Sequence, residues 1–178
     1  MPDRDPIDTT NLDRYGSDAL PWSRVHEPLA TQPDPENPAG DRTTFLSTTR
    51  PDGRPHTAPI GALWHDGDVF FTSGSGTRKS RNLAQNPRAT IAVRLDGIDV
   101  VLEGEATRVT DAETLATAAA LFRAGGWPAE VAGESLTAPY SAPSAGPAPW
   151  DLYRFRYGTV FGVATREPWG ATRWRFAT

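Results

Sequence analysis

The chain has 178 residues, 38% hydrophobic, 10% aromatic and 22% charged, the composition of one compact domain with its own core and no room for a second. It contains no cysteine, which excludes disulfides, thiolate metal sites and cysteine nucleophiles. Lys and Arg number 18 against 22 Asp and Glu, a net charge of −4; no broad positive field exists for nucleic acid or an anionic membrane, so any anion must be bound locally. No apolar run approaches the ~18 residues of a membrane span, and Met1 to Tyr15 is polar and acidic, so the expectation is a cytoplasmic protein without leader or anchor.

Residues 1–16, rich in Asp, Pro, Thr and Arg, predict a disordered tail. Residues 17–41 read as a helix and a linker. The helix is opened by Ser17 or Asp18 and carries Leu20, Trp22, Val25 and Leu29 on one side. Thr31 to Asp41 packs prolines and a glycine among acidic residues. From 42 to 178 a single domain follows, mainly β with few helices. Period-two runs occur at Thr43–Thr49, Pro55–Trp64 and Val69–Thr72, separated by the turn dipeptides Asp52-Gly53 and Asp66-Gly67. Further runs at Ala89–Leu95, Ile98–Val109, Leu152–Tyr157, Thr159–Ala164 and Thr172–Phe176 predict an antiparallel barrel of six to eight strands. Two helices interrupt them. Arg78–Gln85 stops at Asn86-Pro87, and Asp111–Ala124 opens with Thr110 and Glu113 as a capping box and stops at Gly125-Gly126. Residues 132–149 form a long loop of Gly, Ala, Ser and Pro.

The segment Phe70-Phe71-Thr72-Ser73-Gly74-Ser75-Gly76-Thr77-Arg78-Lys79 carries the strongest chemical signal. A strand ends in hydroxyls, passes two glycines and enters a helix whose first turn holds Arg78 and Lys79. Free amides, hydroxyls and two cations then converge on one spot, an anion cradle. Cations there oppose the helix dipole by roughly a few tenths of a kcal/mol, which an anion would offset. Lys79 is the one lysine of the chain, a compact ammonium where every other basic residue is arginine, and it suits a phosphate oxygen. A solvated helix face with ordinary basic residues is the plainer reading of the same spacing.

The Pro55–Trp64 strand with its Asp52-Gly53 turn, Arg78-Lys79 followed by Asn82-Leu83 and Asn86-Pro87, and the closing Thr172-Arg173-Trp174-Arg175-Phe176 together resemble the pyridoxamine 5'-phosphate oxidase-like flavoprotein superfamily. The likeness is greatest to its small flavin- and deazaflavin-dependent actinobacterial oxidoreductases, and it runs from Thr43 to Phe176. It implies a split β-barrel homodimer with FMN or coenzyme F420 in a groove between subunits. The resemblance places the cofactor phosphate on Arg78 and Lys79, with Thr72, Ser73 and Thr77 as donors. The ring lies along Thr57, Ala58, Pro59 and Ile60, and Arg173, Trp174 and Arg175 reach cofactor or substrate across the interface. Arg50, Arg54 and Arg81 are candidates to line an exit for the F420 tail. Thr57 to Ala62 lacks the basic residues of the true oxidase, and Thr-Arg-Trp-Arg-Phe replaces its Arg-Leu-His-Asp-Arg signature, which counts against oxidation of vitamin B6 phosphate.

Glu103 and Glu105 share a strand face, as an acid/base pair or as ordinary solvated polar residues. His56 and His65 sit at opposite ends of one run, too far apart to share a metal, and no metal site is expected. Ser73-Gly74-Ser75-Gly76 is neither a nucleophile elbow nor a dinucleotide fingerprint. Trp127 and Tyr140 are candidates to stack on a ligand, and Tyr140 is also a candidate proton donor. The function expected is hydride transfer from reduced F420 or FMN to a small conjugated acceptor. A non-catalytic flavin or haem store or sensor, and a structural homodimer without cofactor, are the alternatives.

Overall fold

The computed structural model describes residues 4–31 and 42–177; most of the expected linker lies outside them. The elements run β1 (Asp8–Asn11), α1 (Ser23–Ala30), β2 (Thr44–Thr49), β3 (Pro55–Ile60), β4 (Ala62–His65), β5 (Asp68–Ser73) and α2 (Arg78–Leu83). They continue with β6 (Arg88–Leu95), β7 (Ile98–Val109), α3 (Ala112–Ala124), β8 (Glu130–Ala132), β9 (Ser135–Thr137), β10 (Asp151–Ala164) and β11 (Ala171–Arg175). The fold is mainly β and antiparallel, with sheet order β1-β11-β10-β7-β6-β2-β3, β5 paired to both β10 and β4.

The barrel closes through a bend. The single run expected over Pro55–Trp64 breaks at Gly61 into β3, which pairs with β2, and β4, which pairs with β5. The ring β2, β3/β4, β5, β10, β7, β6 is thereby complete, a split barrel. Its split lies along β10, one strand where two were expected. Asp151–Phe155 pair with β5 and Thr159–Val163 with β11, while β7 runs along the whole other edge. Between these halves the β10–β7 register shifts at Tyr157/Thr159. Gly104 faces this bulge, where an added Cβ would lie 2.0 Å from the Arg156 carbonyl oxygen.

Alternation fills the interior. Leu46, Ile91, Val100, Leu102, Phe71, Phe155, Val160 and Trp174 are buried in one cluster. Trp174 is fully buried against Trp22, ring centroids 5.5 Å apart. A second cluster, with Phe70, Leu115, Ala118, Leu136 and Leu152, packs α3 against the barrel.

Three expectations at element ends change. The tail is not wholly without structure: Asp8–Asn11 form β1 on the edge of β11, bracketed by Ile7 N–H to Arg175 O and Leu12 N–H to Ala171 O, both 2.8 Å. Edge pairing orders a polar segment without apolar burial, which composition does not reveal. Helix α1 starts at Ser23 rather than at 17 or 18 because Pro21 disfavours helical geometry at Leu20; the Leu20 N–H goes instead to Thr172 Oγ1 at 2.7 Å. Helix α3 is capped by Asp111, whose carboxylate accepts from Thr114 N at 2.8 Å, one residue later than the expected Thr110. The hairpin β8–β9 was not anticipated in its loop-like composition.

Outward-facing positions form rows across the sheet. Pro59, Phe45, Ala92, Val101 and Phe161 are in register on five strands. Phe45 is 41% exposed and nearby Val163 53%, so this row is an apolar stripe open to solvent. The next row, Thr57, Ser47, Thr90, Glu103 and Thr159, is polar.

Gly104→Ala should destabilise by about 3 kcal/mol, because the clash is with backbone that cannot repack. Gly61→Ala, with nothing within 4 Å of the added Cβ, should change stability by less than about 1 kcal/mol. Urea unfolding of the two variants checks the contrast.

Candidate functional site

Strand β5 ends at Ser73, and the chain turns through Gly74 with Thr77 N–H donating to the Gly74 carbonyl at 3.0 Å. Gly74 is required here: a Cβ would sit 2.3 Å from the Ala145 carbonyl oxygen, where the long loop crosses the turn. Thr77 caps α2, its Oγ1 accepting from Ser80 N at 3.3 Å. Thr77 Oγ1 donates to Ser80 Oγ (3.1 Å) and Ser80 Oγ to Ser73 Oγ (2.8 Å), so the Ser73 hydrogen closes the ring onto Thr77 (2.8 Å). All three hydroxyl hydrogens are thus spent within the protein. Ser73 and Thr77, expected to donate to an anion, instead fix the start of α2. Thr72 is half-buried, paired with Leu152 on β10.

What faces outward from this turn is positive. Arg78 is exposed and Lys79 half-buried; burial lowers the pKa of Lys79, and no carboxylate opposes the shift. His56, at the start of β3, is held below the usual imidazole range by burial and then by Arg50, Lys79 and Arg78, which places all four residues in one corner. Among the described residues none of Arg50, Arg78, Lys79 and Arg81 makes an ion pair. Asp52, beside Arg50, is engaged by Arg54 Nη2 at 2.6 Å. At the same corner Arg50 Nε, His56 Nδ1 and Asn82 Oδ1 are buried without hydrogen-bond partners. Each such group costs about 1–3 kcal/mol when left unmade. Uncompensated cations with an idle buried donor, Arg50 Nε, fit a phosphate group, whereas the Asn82 amide oxygen can only accept. Arg50 escaped assignment to the phosphate, and His56 and Asn82 escaped the site altogether; the signal for them was position, one on each flank of the Asp52-Gly53 turn and one on the inner side of α2.

Strand β3 is the last in the sheet order and hydrogen-bonds only to β2 along its length. Thr57 and Pro59 are exposed, Ala58 and Ile60 half-buried, and Thr57 Oγ1 lies 2.8 Å from Ser47 Oγ. Its outer backbone edge can meet the polar rim of a ring. Arg173, Trp174 and Arg175 are not brought to this corner: four strands separate β11 from β3 in the sheet order. Arg173 donates to Thr10 Oγ1 at 2.9 Å, and Arg175 is exposed. Trp174 is core; with its side chain buried inside the barrel it cannot touch a ligand. Tyr140 donates its hydroxyl to the Gly126 carbonyl (3.4 Å), and its own carbonyl accepts from Trp127 Nε1 (2.8 Å). That ties Tyr140 to the C-terminal end of α3.

From the Thr48–Thr49–Pro55 end a groove of about 770 Å³ runs over the sheet to Arg156. Ion pairs lie in it and beside it. Arg88 Nε is 4.0 Å from Glu105, and Asp68, buried at 2% exposure, binds Arg154 at 2.5 Å with Arg156 at 3.6 Å and Arg4 at 3.7 Å. Glu105 faces Arg88, and Glu103 sits in the polar row beside it; both line the groove. Among the described residues no three His, Asp or Glu gather to hold a metal, and no helix is long and apolar enough to cross a membrane.

Thr77→Ala should cost about 1 kcal/mol of stability through loss of the cap and hydroxyl ring. Thr77→Ser, which keeps both, should restore most of it in thermal unfolding.

The family model described as pyridoxamine 5'-phosphate oxidase matches residues 36–146, more than half of the chain. A pyridoxamine 5'-phosphate oxidase-related, FMN-binding protein from Nostoc punctiforme is 19% identical at TM-score 0.57, covering 87% of this chain and 89% of that one. A conserved hypothetical protein from Mycobacterium tuberculosis is 18% identical at TM-score 0.54, covering 92% and 89%. An FAD-binding protein from Mesorhizobium loti is 18% identical at TM-score 0.53, covering 89% and 96%. No curated protein matches the sequence. With the barrel, its split and the matched segment in agreement, the chain belongs to the pyridoxamine 5'-phosphate oxidase family.

Proposed function

We propose that the protein is an oxidoreductase that binds a phosphate-bearing flavin-type cofactor, FMN or coenzyme F420, and passes hydride to a small conjugated organic acceptor. The observation that carries this reading is the corner of Arg50, Arg78 and Lys79, cations without carboxylates, where the buried donor Arg50 Nε has no partner. The FMN- and FAD-binding character of the proteins with this fold supports the cofactor class. When bound, the cofactor supplies the hydride chemistry itself. The chain's own part is to clasp the phosphate at the α2 corner and to steady the ring against the free edge of β3. Acidic nucleophiles are not called for.

The same reading takes the protein as a homodimer. The exposed apolar row of Pro59, Phe45, Ala92, Val101 and Phe161 runs across five strands beside the groove, and a second copy seated there would cover it. Only such a partner could bring Arg173 or Arg175 to the β3 corner, given their separation within one chain.

Titration of the protein with FMN and with F420, followed by ring absorbance and fluorescence, tests the cofactor. Arg78→Ala and Lys79→Ala should each weaken binding by about tenfold to a hundredfold, the worth of one charged hydrogen bond. Unchanged affinity for both cofactors would remove the cradle. Turnover with a panel of electron-poor alkenes, imines and quinones then separates an enzyme from a store. Phe45→Glu should convert the dimer to monomer in sedimentation equilibrium; a wild-type monomer at tens of micromolar would sink the dimer.

A further inference from the structure

Three elements meet at the cationic corner. The β2–β3 turn brings Arg50, β3 brings His56, and α2 brings Arg78, Lys79 and Asn82. Thr48 stitches them together, its Oγ1 donating to the His56 carbonyl at 3.3 Å and accepting from Asn82 Nδ2 at 3.0 Å. Asn82 is 1% exposed and held by this bond, yet its Oδ1, like His56 Nδ1 and Arg50 Nε, has no partner. His56 is therefore not a spare surface histidine: its Nδ1 is buried at the corner, with no partner beyond the residue's own backbone.

We propose that His56 is the titrating member of the phosphate cradle, its imidazole taking one proton from solvent as a dianionic phosphate group seats against Arg50, Arg78 and Lys79. The proposal rests on the cofactor reading above and adds a residue and a coupling to it. The charged groups that act on His56 are Arg50 from the turn and Arg78 and Lys79 from α2; the neighbours from β2 and inner α2, Thr48 and Asn82, are neutral. With no carboxylate among them, these neighbours favour the neutral ring. Two negative charges reverse that local field, and the protonated ring gains a donor at Nδ1. Because the bound state then holds the extra proton, anion affinity is greatest at low pH and is lost as pH rises through the raised imidazole pKa.

Sulfate is the probe, because it stays a dianion where a phosphate ester is still gaining its second charge near pH ~6. The His56 ring is followed by NMR between about pH 5.5 and 8.5 with and without saturating sulfate, and sulfate binding is measured by calorimetry over the same range. Sulfate should raise the imidazole pKa by about one unit, so its affinity falls by about tenfold from the acid to the alkaline end. His56→Gln should bind with a flat profile. An imidazole titration unmoved by sulfate, an equal pH slope in His56→Gln, or no sulfate binding at the acid end would each overturn the proposal. The wild-type ring titration needs no variant to fold. FMN titration on the same samples separates the two readings: FMN bound with an unmoved His56 leaves the cofactor standing and removes the coupling, whereas binding of neither FMN nor F420 removes both.

Discussion

Strand β10 offers one edge to β7 along its whole length and divides the other between β5 and β11. Everything that positions the site follows from this division. The β5 half leads directly into the Ser73–Thr77 turn and α2, and through β4 and the bend at Gly61 back to β3. The β11 half carries the remaining family motif to the other end of the sheet. Two neighbours cannot share one straight edge without a break, and the chain makes that break with the bulge at Tyr157–Thr159, accommodated by a glycine on the facing strand.

The corner built by the β5 half is electrostatically unfinished. Elsewhere the chain matches its charges with care: Arg94 with Asp99, Arg166 with Asp96, Arg154 with Asp68, Arg54 with Asp52. Arg50, Arg78, Lys79 and Arg81 depart from this habit together, four cations near one another without an ion pair among the described residues. The cost of like charges held together is borne by the hydroxyl ring and the buried face of α2, where Ser80, Asn82 and Leu83 anchor the helix whatever its outer residues repel. Rigidity beneath and surplus charge above are what a preorganised anion site requires.

Much of this was legible. Alternation and turn dipeptides located most of the strands, since Leu46, Ile91 and Leu102 read as inward and their neighbours as outward without knowledge of the fold. The glycine-hydroxyl-lysine run marked the corner because its chemistry is contiguous in sequence. What escaped depends on tertiary context. β1 is ordered by an edge presented from the other end of the chain. Trp174 looks like a ligand-facing aromatic between two arginines, yet strand alternation sends it inward while Arg173 and Arg175 face out. Ser73 and Thr77 resemble donors until their mutual distances show the hydrogens consumed. His56 and Asn82 reach the corner only through the pairing of β2 with β3 and the docking of α2.

The placement of prolines on β3 has a consequence for the protein's behaviour in a crowded solution. This strand ends the sheet, and β1 shields the opposite margin at β11. An unshielded margin is a template on which foreign chains add strand by strand toward a fibre. Pro55 and Pro59, lacking backbone N–H groups, interrupt that template at two points while Thr57 between them keeps its own. The margin thus stays open to a small planar molecule and remains poor ground for a growing fibril.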